Sequence, residues 1–517
     1  MGPGRYYKNT WPMRAFIISM LLNCTFLSIL TGQIKGDYNW ILGTDYYDPA
    51  SQYGGTHIDF NSMPPEISIF DSPIHLVANA SISDDDGNLL FYTNGCYVVN
   101  RNFEIMPHGD SLSAGFTYTQ WCVAGDGYPS HQGVLALPFP GSDHLYVIVH
   151  YKNADTGVHD HNELLYSVVD MNLDGGLGDV TLKNQLIYHH DFFYAQLTAV
   201  RHGNGRDWWI VAPERGDSDK YFLFLLSPEG VSGPFVQVFG NPAAPIQGGS
   251  QACFSPDGRK YIRMYPQTYG GQVADFDRCT GQMSNPQQFQ VDGVLYACGC
   301  AVSPNNRYLY ISAYKRMYQF DLEAPDLQAS RILLDTFDGA FVPLPAHFFQ
   351  AMTAPDGKIY ISSSNGVYAL HVIHNPNEPG AACNFEQHGI ELPTVILFPI
   401  PNFPHFRLYD QQGSICDTLG INGAGAYYEA PQRGPLRLLP NPLPAGGRLR
   451  VEAGDLFTGR DRLAVYDLLG GLQIEASLQG QVSAWELETA GLRPGVYFVV
   501  LYRRDGTRQA GRLTVVE

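Results

Sequence analysis

A strand-turn-strand unit that returns at a mean of 54 residues, a high count of turn formers (54 Gly and 35 Pro), and the lack of any sustained helical period predict an all-β chain. The architecture expected is a β-propeller of seven blades, with six as the alternative, followed by a small β-sandwich. The unit is clearest at Ser255-Pro-Asp-Gly-Arg-Lys-Tyr-Ile-Arg-Met264. It recurs at Ser303-Pro-Asn-Asn-Arg-Tyr-Leu-Tyr-Ile-Ser312 and Ala354-Pro-Asp-Gly-Lys-Ile-Tyr-Ile-Ser-Ser363, with looser copies around Asp85, Ser142 and Asn204. Asp-Gly between two apolar runs is a hairpin signal, because glycine takes positive φ without steric cost. The strand markers Leu90, Tyr146, Trp209, Tyr261, Tyr310 and Tyr360 are spaced by 56, 63, 52, 49 and 50 residues. One four-stranded blade cannot bury both faces alone, and a closed ring of blades can.

In chain order, residues 1–32 carry Arg5, Lys8 and Arg14, no acid, and an apolar run from Ala15 to Thr31, which reads as a secretory signal peptide. The propeller is expected over residues 38–420, about seven periods long. Strands around Trp40 to Phe70 are expected to share the closing blade with a strand around Phe406 to Tyr409. The Gly- and Ala-rich passage 421–434 reads as a linker. Residues 435–517 then hold short strands at turn-separated intervals, such as Leu463-Ala-Val-Tyr466 and Val496-Tyr-Phe-Val-Val-Leu501.

The whole chain carries −18, but the middle between residues 33 and 434 carries −22. That argues against nucleic acid as a partner, since such binding needs a basic face. Nine cysteines are present, and Cys24 falls in the signal segment. The other eight, Cys96, Cys122, Cys253, Cys279, Cys298, Cys300, Cys383 and Cys416, are possible disulfide partners in an exported chain, with the pairing open. Cys298 and Cys300 are too close to bridge each other easily, so at least one is expected to pair elsewhere. No Cys-x-x-Cys spacing suggests zinc, and no cofactor is expected.

Several groups could carry chemistry. His159-Asp-His161 offers metal-type ligands without an assignable third partner. Ser83-Asp-Asp-Asp-Gly87 resembles a calcium loop or an Asp box but reads better as a hairpin turn. Tyr188-His-His-Asp191 and Arg201-His202 could hold a general acid and base, yet nothing identifies the two converging carboxylates of a glycosidase. Trp208 and Trp209 lie on opposite faces of one strand and read as core. Trp121, in the long loop Gly115 to Pro129, is the expected ligand contact, and no catalytic residue is assigned.

The C-terminal region resembles the sorting domain of the bacterial type IX secretion system. The resemblance rests on Leu439-Pro-Asn-Pro442, Val465-Tyr-Asp-Leu-Leu-Gly470, Leu492-Arg-Pro-Gly-Val-Tyr-Phe-Val499 and Gly511-Arg-Leu-Thr-Val-Val516. Pro440, Asn441, Pro442, Asp467, Gly470, Gly495 and Tyr497 carry the motifs. Gly471 departs from the family, which usually has a basic residue there. The resemblance implies an immunoglobulin-like sandwich, a translocon and sortase as partners, and release or attachment to surface lipopolysaccharide. The protein would be secreted across the outer membrane, to the cell surface or beyond. Residues 38–420 resemble uncharacterised propeller cargo of that system. The residues that carry this second resemblance include Phe91-Tyr-Thr-Asn-Gly95, Asn100-Arg-Asn-Phe-Glu-Ile-Met-Pro-His-Gly109, Tyr166-Ser-Val-Val-Asp-Met171 and Pro401-Asn-Phe-Pro404. The functional expectation is a surface propeller that binds a glycan or protein without catalysis. The alternatives are a polysaccharide hydrolase or lyase with its site in the central channel, and a structural part of an adhesion or gliding assembly.

Overall fold

The computed structural model describes residues 2, 34–48, 52–153, 161–193, 195–215, 219–240, 249–265, 270–292, 297–419, 436–453, 461–467, 471–477, 482, 484–502 and 508–516. The expected signal segment 1–32 apart from Gly2, the expected linker 421–434 and Gly470 lie outside these residues.

Among the described residues, seven antiparallel sheets follow one another up to residue 397. Blade 1 is Asn39–Asp48, Tyr53–Asp59 and Glu66–Phe70, and blade 2 is Ala80–Ser83, Leu89–Thr93 and Val98–Asn100. Blade 3 is Val134–Pro138, Leu145–Asn153, His161–Asp170 and Asp179–Phe192. Blade 4 is Thr198–Arg201, Trp208–Pro213, Lys220–Ser227 and Gly230–Val238. Blade 5 is Ala252–Phe254, Lys260–Tyr265, Gly270–Phe276 and Met283–Gln290. Blade 6 is Cys298–Val302, Tyr308–Ala313, Arg316–Asp321 and Ile332–Thr336. Blade 7 is Phe348–Thr353, Ile359–Ser363, Gly366–Ile373 and Phe385–Leu397. The six strand markers all fall in second strands.

The repeated turn is a hydrogen-bonded device. Asp257 Oδ1 accepts from Ser255 Oγ at 2.5 Å and from Arg259 N at 3.0 Å, while Gly258 sits at φ 71°. Asn305 does the same for Ser303 and Arg307. Asp84 Oδ1 accepts from the amides of Asp86 and Asn88, so Ser83 to Gly87 is the hairpin turn the sequence suggests.

The shared closing blade expected from the sequence is not formed. The strands from Asn39 to Phe70 make their own sheet, and residues 398–409 contain no strand. Blade 7 meets blade 1 through Thr394 Oγ1 and Thr56 Oγ1, 2.6 Å apart, and through Val395 N to Gln52 O. The chain after Leu397 then enters the centre of the ring. Asn402 donates its amide to Val134 O and Leu197 O, accepts from Gln132 Nε2, and gives its backbone N–H to Asn79 O. Gln132 also bonds both ways to Ala252, and Gln251 joins Cys300 to Ala351. First strands of six blades, or the residues beside them, are tied by these three amides. Further on, His405 reaches Phe254 O, Phe406 packs on Trp208, and Arg407 forks onto Asp37. The Cys279–Cys416 disulfide holds the end of this segment. Buried backbone groups at a ring centre need partners, and this polar plug supplies them.

Cys96 pairs with Cys122, while Cys253, Cys298, Cys300 and Cys383 are free thiols. The expectation that Cys298 or Cys300 is bridged is therefore corrected. Both lie on the apolar first strand of blade 6, packed with Ile262, Met264 and Leu309, and act as small buried hydrophobes.

The C-terminal region is an immunoglobulin-like pair of sheets. Arg437–Leu439, Arg448–Glu452 and Trp485–Glu488 face a five-stranded sheet of Leu443–Pro444, Arg508–Val516, Gly495–Tyr502, Arg462–Asp467 and Leu472–Ser477. Alternate residues Leu463 and Val465, Val499 and Leu501, and Leu449 and Val451 fill the core.

Candidate functional site

A catalytic channel was one expectation, and the centre of the ring is instead occupied by Asn402, Gln132, Gln251 and the segment that follows. Chemistry-bearing groups converge elsewhere, where blades 3 and 4 meet. A bridge between Phe192 and Glu214 sets the end of the last strand of blade 3 beside the end of the second strand of blade 4. Arg215 N bonds Asp191 O, and Glu214 N bonds Lys220 O, which fixes the backbone on both sides.

This juxtaposition places three side chains together. Glu214 Oε1 lies 2.5 Å from His190 Nε2 and 2.8 Å from Lys220 Nζ. The carboxylate is largely buried at 15% exposure, while His190 and Lys220 remain open at 31% and 36%. The His190 ring rests on Phe222 at 4.4 Å and is flanked by Tyr188 at 6.1 Å, so its orientation is held by packing as well as by the carboxylate. A carboxylate oxygen accepts, so Nε2 donates to it, and in that tautomer Nδ1 is the acceptor. Nδ1 has no partner among the described residues. A carboxylate-oriented imidazole with its second nitrogen open is the arrangement of a general base.

A second cluster lies on the other face of the same strand. Glu163 pairs with Lys152 at 2.8 Å and with His189 at 4.0 Å. His189 and His190 are neighbours in a strand, so their side chains leave opposite faces. Glu163 and Glu214 accordingly do not converge as the two carboxylates of a glycosidase must.

The remaining candidates fall elsewhere. His202 is structural: Nε2 meets Cys279 O at 2.9 Å, Nδ1 accepts from Asn204 N, and burial pushes its pKa down. Arg201 stacks on Trp208 and donates to Gly205 O. Trp208 and Trp209 are both buried, the first against Phe406 and the second bonded through Nε1 to Arg278 O. His159 and Asp160 lie outside the described residues, and His161 is buried against Tyr151. Trp121 stands half-buried in the single helical turn Tyr118–Cys122, beside the Cys96–Cys122 disulfide. It is not brought to His190 by any contact among the described residues.

In the C-terminal domain the motif residues make turns and ties. Asn441 accepts from Thr514 N and donates to Arg512 O, pinning the Pro440 to Pro442 corner to the last strand. Asp467 Oδ1 accepts from Gly471 N at 2.8 Å. Tyr497 OH donates to Arg493 O across the turn that ends at Gly495.

Glu214 and Lys220 were not singled out by the sequence. The one local sign is an acid placed directly after the apolar strand Trp208 to Pro213, where a loop between blade strands begins.

No family model matches this chain, and no curated protein matches it. Solved structures do. A protein from Lactobacillus plantarum aligns at 11% identity with a TM-score of 0.42, covering 70% of this chain and 99% of its own. The periplasmic gluconolactonase of Pseudomonas aeruginosa aligns at 12% identity and 0.41, covering 71% and 99%. A protein of Bacteroides uniformis provisionally assigned as a 6-phosphogluconolactonase aligns at 13% and 0.41, covering 71% and 99%. Proteins named as gluconolactonases stand among these matches, so the expectation leaning against catalysis is not kept; the likeness itself is one of fold.

Proposed function

We propose that this chain is an exported hydrolase that cleaves a carboxylic ester or lactone, with a sugar lactone as the first substrate class to try. The observation that carries this reading is Glu214 holding His190 Nε2 at 2.5 Å while Nδ1 stays open. In the reaction, His190 Nδ1 takes a proton from water and the hydroxide adds to the carbonyl carbon. Glu214 offsets the charge of the imidazolium that forms, and Lys220 Nζ lies against the same carboxylate oxygen. Collapse of the tetrahedral adduct breaks the acyl–oxygen bond, and the leaving alkoxide takes the proton back from Nδ1. One water gives an acid and an alcohol from an ester, or one hydroxy acid from a lactone. A single base suffices for acyl chemistry, whereas a glycoside requires two converging carboxylates.

The test is release of acid from D-glucono-δ-lactone and from acetylated sugars, followed in a pH-stat above the buffer rate. The wild type turns over at least one of them. Glu214→Gln and His190→Ala each fall by about a hundredfold or more in kcat/KM, the usual worth of a general base. Wild-type rates equal to buffer on all substrates defeat the reading.

Export by the type IX system remains part of the same proposal. It is supported by the sorting-domain motifs and by the way Asn441, Asp467 and Tyr497 shape the turns of a compact sandwich. The partners would be the translocon and its sortase, with surface lipopolysaccharide as the acceptor for attachment. Removal of residues 435–517 abolishes surface appearance if this is right, and undiminished export of the truncated chain refutes it.

A further inference from the structure

Arg263 sits on the second strand of blade 5 with no exposed surface. Its Nε donates to Gln196 Oε1 at 2.8 Å. The Gln196 amide is oriented for this, because its Nε2 donates to Ser250 Oγ and Met264 O. Both Nη atoms of Arg263 are buried without a hydrogen bond of good geometry, and no carboxylate pairs with the guanidinium among the described residues. The rings of Tyr221, Tyr265 and Phe193 surround it at 5.2, 5.2 and 5.7 Å. The Tyr221 and Tyr265 hydroxyls stand near the guanidinium and lie 3.3 Å from each other, and neither is a carboxylate that would pair with its charge. A buried arginine is normally paired with an anion, because a charge removed from water without one is costly.

Other unpartnered polar atoms stand around it. Gln272 is the residue directly opposite Arg263 in the next strand, so the two side chains share a face. Both ends of its amide are buried without partners. Gly240 backs that amide: a Cβ there would come within 2.1 Å of Gln272 Oε1. Tyr261, two residues before Arg263 and on the same face, has an unpartnered buried hydroxyl, as does Tyr151, and both lie within electrostatic reach of the guanidinium. Burial pushes both phenols far up, so they are neutral donors. Six unpartnered polar atoms on four side chains in one place are not what a finished core contains.

We propose that Arg263, Gln272, Tyr261 and Tyr151 form a binding site for a small hydroxylated carboxylate, a hydroxy or sugar acid. The two Nη atoms present the paired N–H edge that takes a carboxylate bidentately. The amide and the phenols supply donors and one acceptor for hydroxyl groups. The aromatic walls suit the carbon face of such a molecule and exclude a fully hydrated inorganic ion. This site stands apart from the Glu214–His190 reading and does not depend on it.

The experiment is binding to the full chain lacking only its signal segment. Calorimetry and thermal unfolding are run with sodium acetate, lactate, gluconate and glucuronate, with chloride and sulfate at equal ionic strength as controls. At least one hydroxylated carboxylate binds and raises Tm in proportion to ligand over Kd, and chloride and sulfate do not. Arg263→Met abolishes the shift, and without ligand it melts at or above the wild type, because it removes an uncompensated buried charge. Gln272→Leu keeps the charge and weakens the carboxylate at least tenfold, which covers the case in which Arg263→Met does not fold. No shift with any of the four carboxylates, an equal shift with chloride, or an unchanged shift in Gln272→Leu overturns the proposal. Because the readout is binding, absence of hydrolytic activity leaves this test standing.

Discussion

Replacing Asn402 with alanine probes the plug that closes the ring. Its side chain makes three hydrogen bonds, to Val134 O, to Leu197 O and from Gln132 Nε2, at 2.9, 2.9 and 3.1 Å. All three are buried, and alanine leaves two carbonyls and one amide donor without partners. At about 1–2 kcal/mol for each buried group left unmade, the loss is about 3–6 kcal/mol. The backbone bond from residue 402 to Asn79 O survives, so the ring is weakened and not opened. Guanidinium chloride unfolding followed by tryptophan fluorescence reads the change, since Trp40 lies 6.0 Å from Phe403 in the same segment. Asn402→Asp keeps the acceptor, loses both donations and adds a charge, and should cost at least as much. A loss below about 1 kcal/mol in Asn402→Ala, at unchanged m-value, would refute the idea that this residue ties the blades together.

Three further outcomes follow from the same structure. Burial holds both His150 and His371 neutral, with pKa values pushed down to about 3. Below about pH 6.5 the unfolded chain takes up protons that the folded chain refuses, so stability falls as pH drops toward 3, by about 2 kcal/mol per histidine at pH 5; equal denaturation midpoints at pH 7.5 and 5.0 would contradict this. The Cys279–Cys416 bridge closes a separation of 137 residues and Cys96–Cys122 one of 26, so chain entropy predicts losses of about 5 and 3.5 kcal/mol when each pair becomes serine; calorimetry under non-reducing conditions orders them. Unfolding residues 33–517 without reductant should expose Cys253, Cys298, Cys300 and Cys383 to a thiol reagent, while the other four cysteines stay silent.

The blades were legible because their signal is local. The Ser255 hydroxyl and the Asp257 carboxylate find partners within five residues, so the pattern repeats visibly along the chain. Trp208 and Trp209 were legible for the same reason, since strand alternation alone sends them to opposite faces. The plug was not. Asn402 bonds residues 268 and 205 positions away, and nothing near Pro401-Asn-Phe-Pro404 distinguishes a segment at the ring centre from an edge strand. The site was half legible. Tyr188-His-His-Asp191 stood out by its histidines, but the carboxylate that selects His190 over His189 is 24 residues on, in another blade. Disulfide pairing was hidden too, because it depends on which turns the ring brings together, as at Cys279 and Cys416.

The central claim, a general base at His190, is tested most directly by chemical rescue. His190→Ala is assayed on the lactone or ester that the wild type hydrolyses, with increasing free imidazole. The account predicts a loss of about a hundredfold or more and recovery in proportion to imidazole, because the space left beside Glu214 admits the missing ring. A His190→Ala variant within about threefold of wild type, or one whose loss no concentration of imidazole restores, contradicts it.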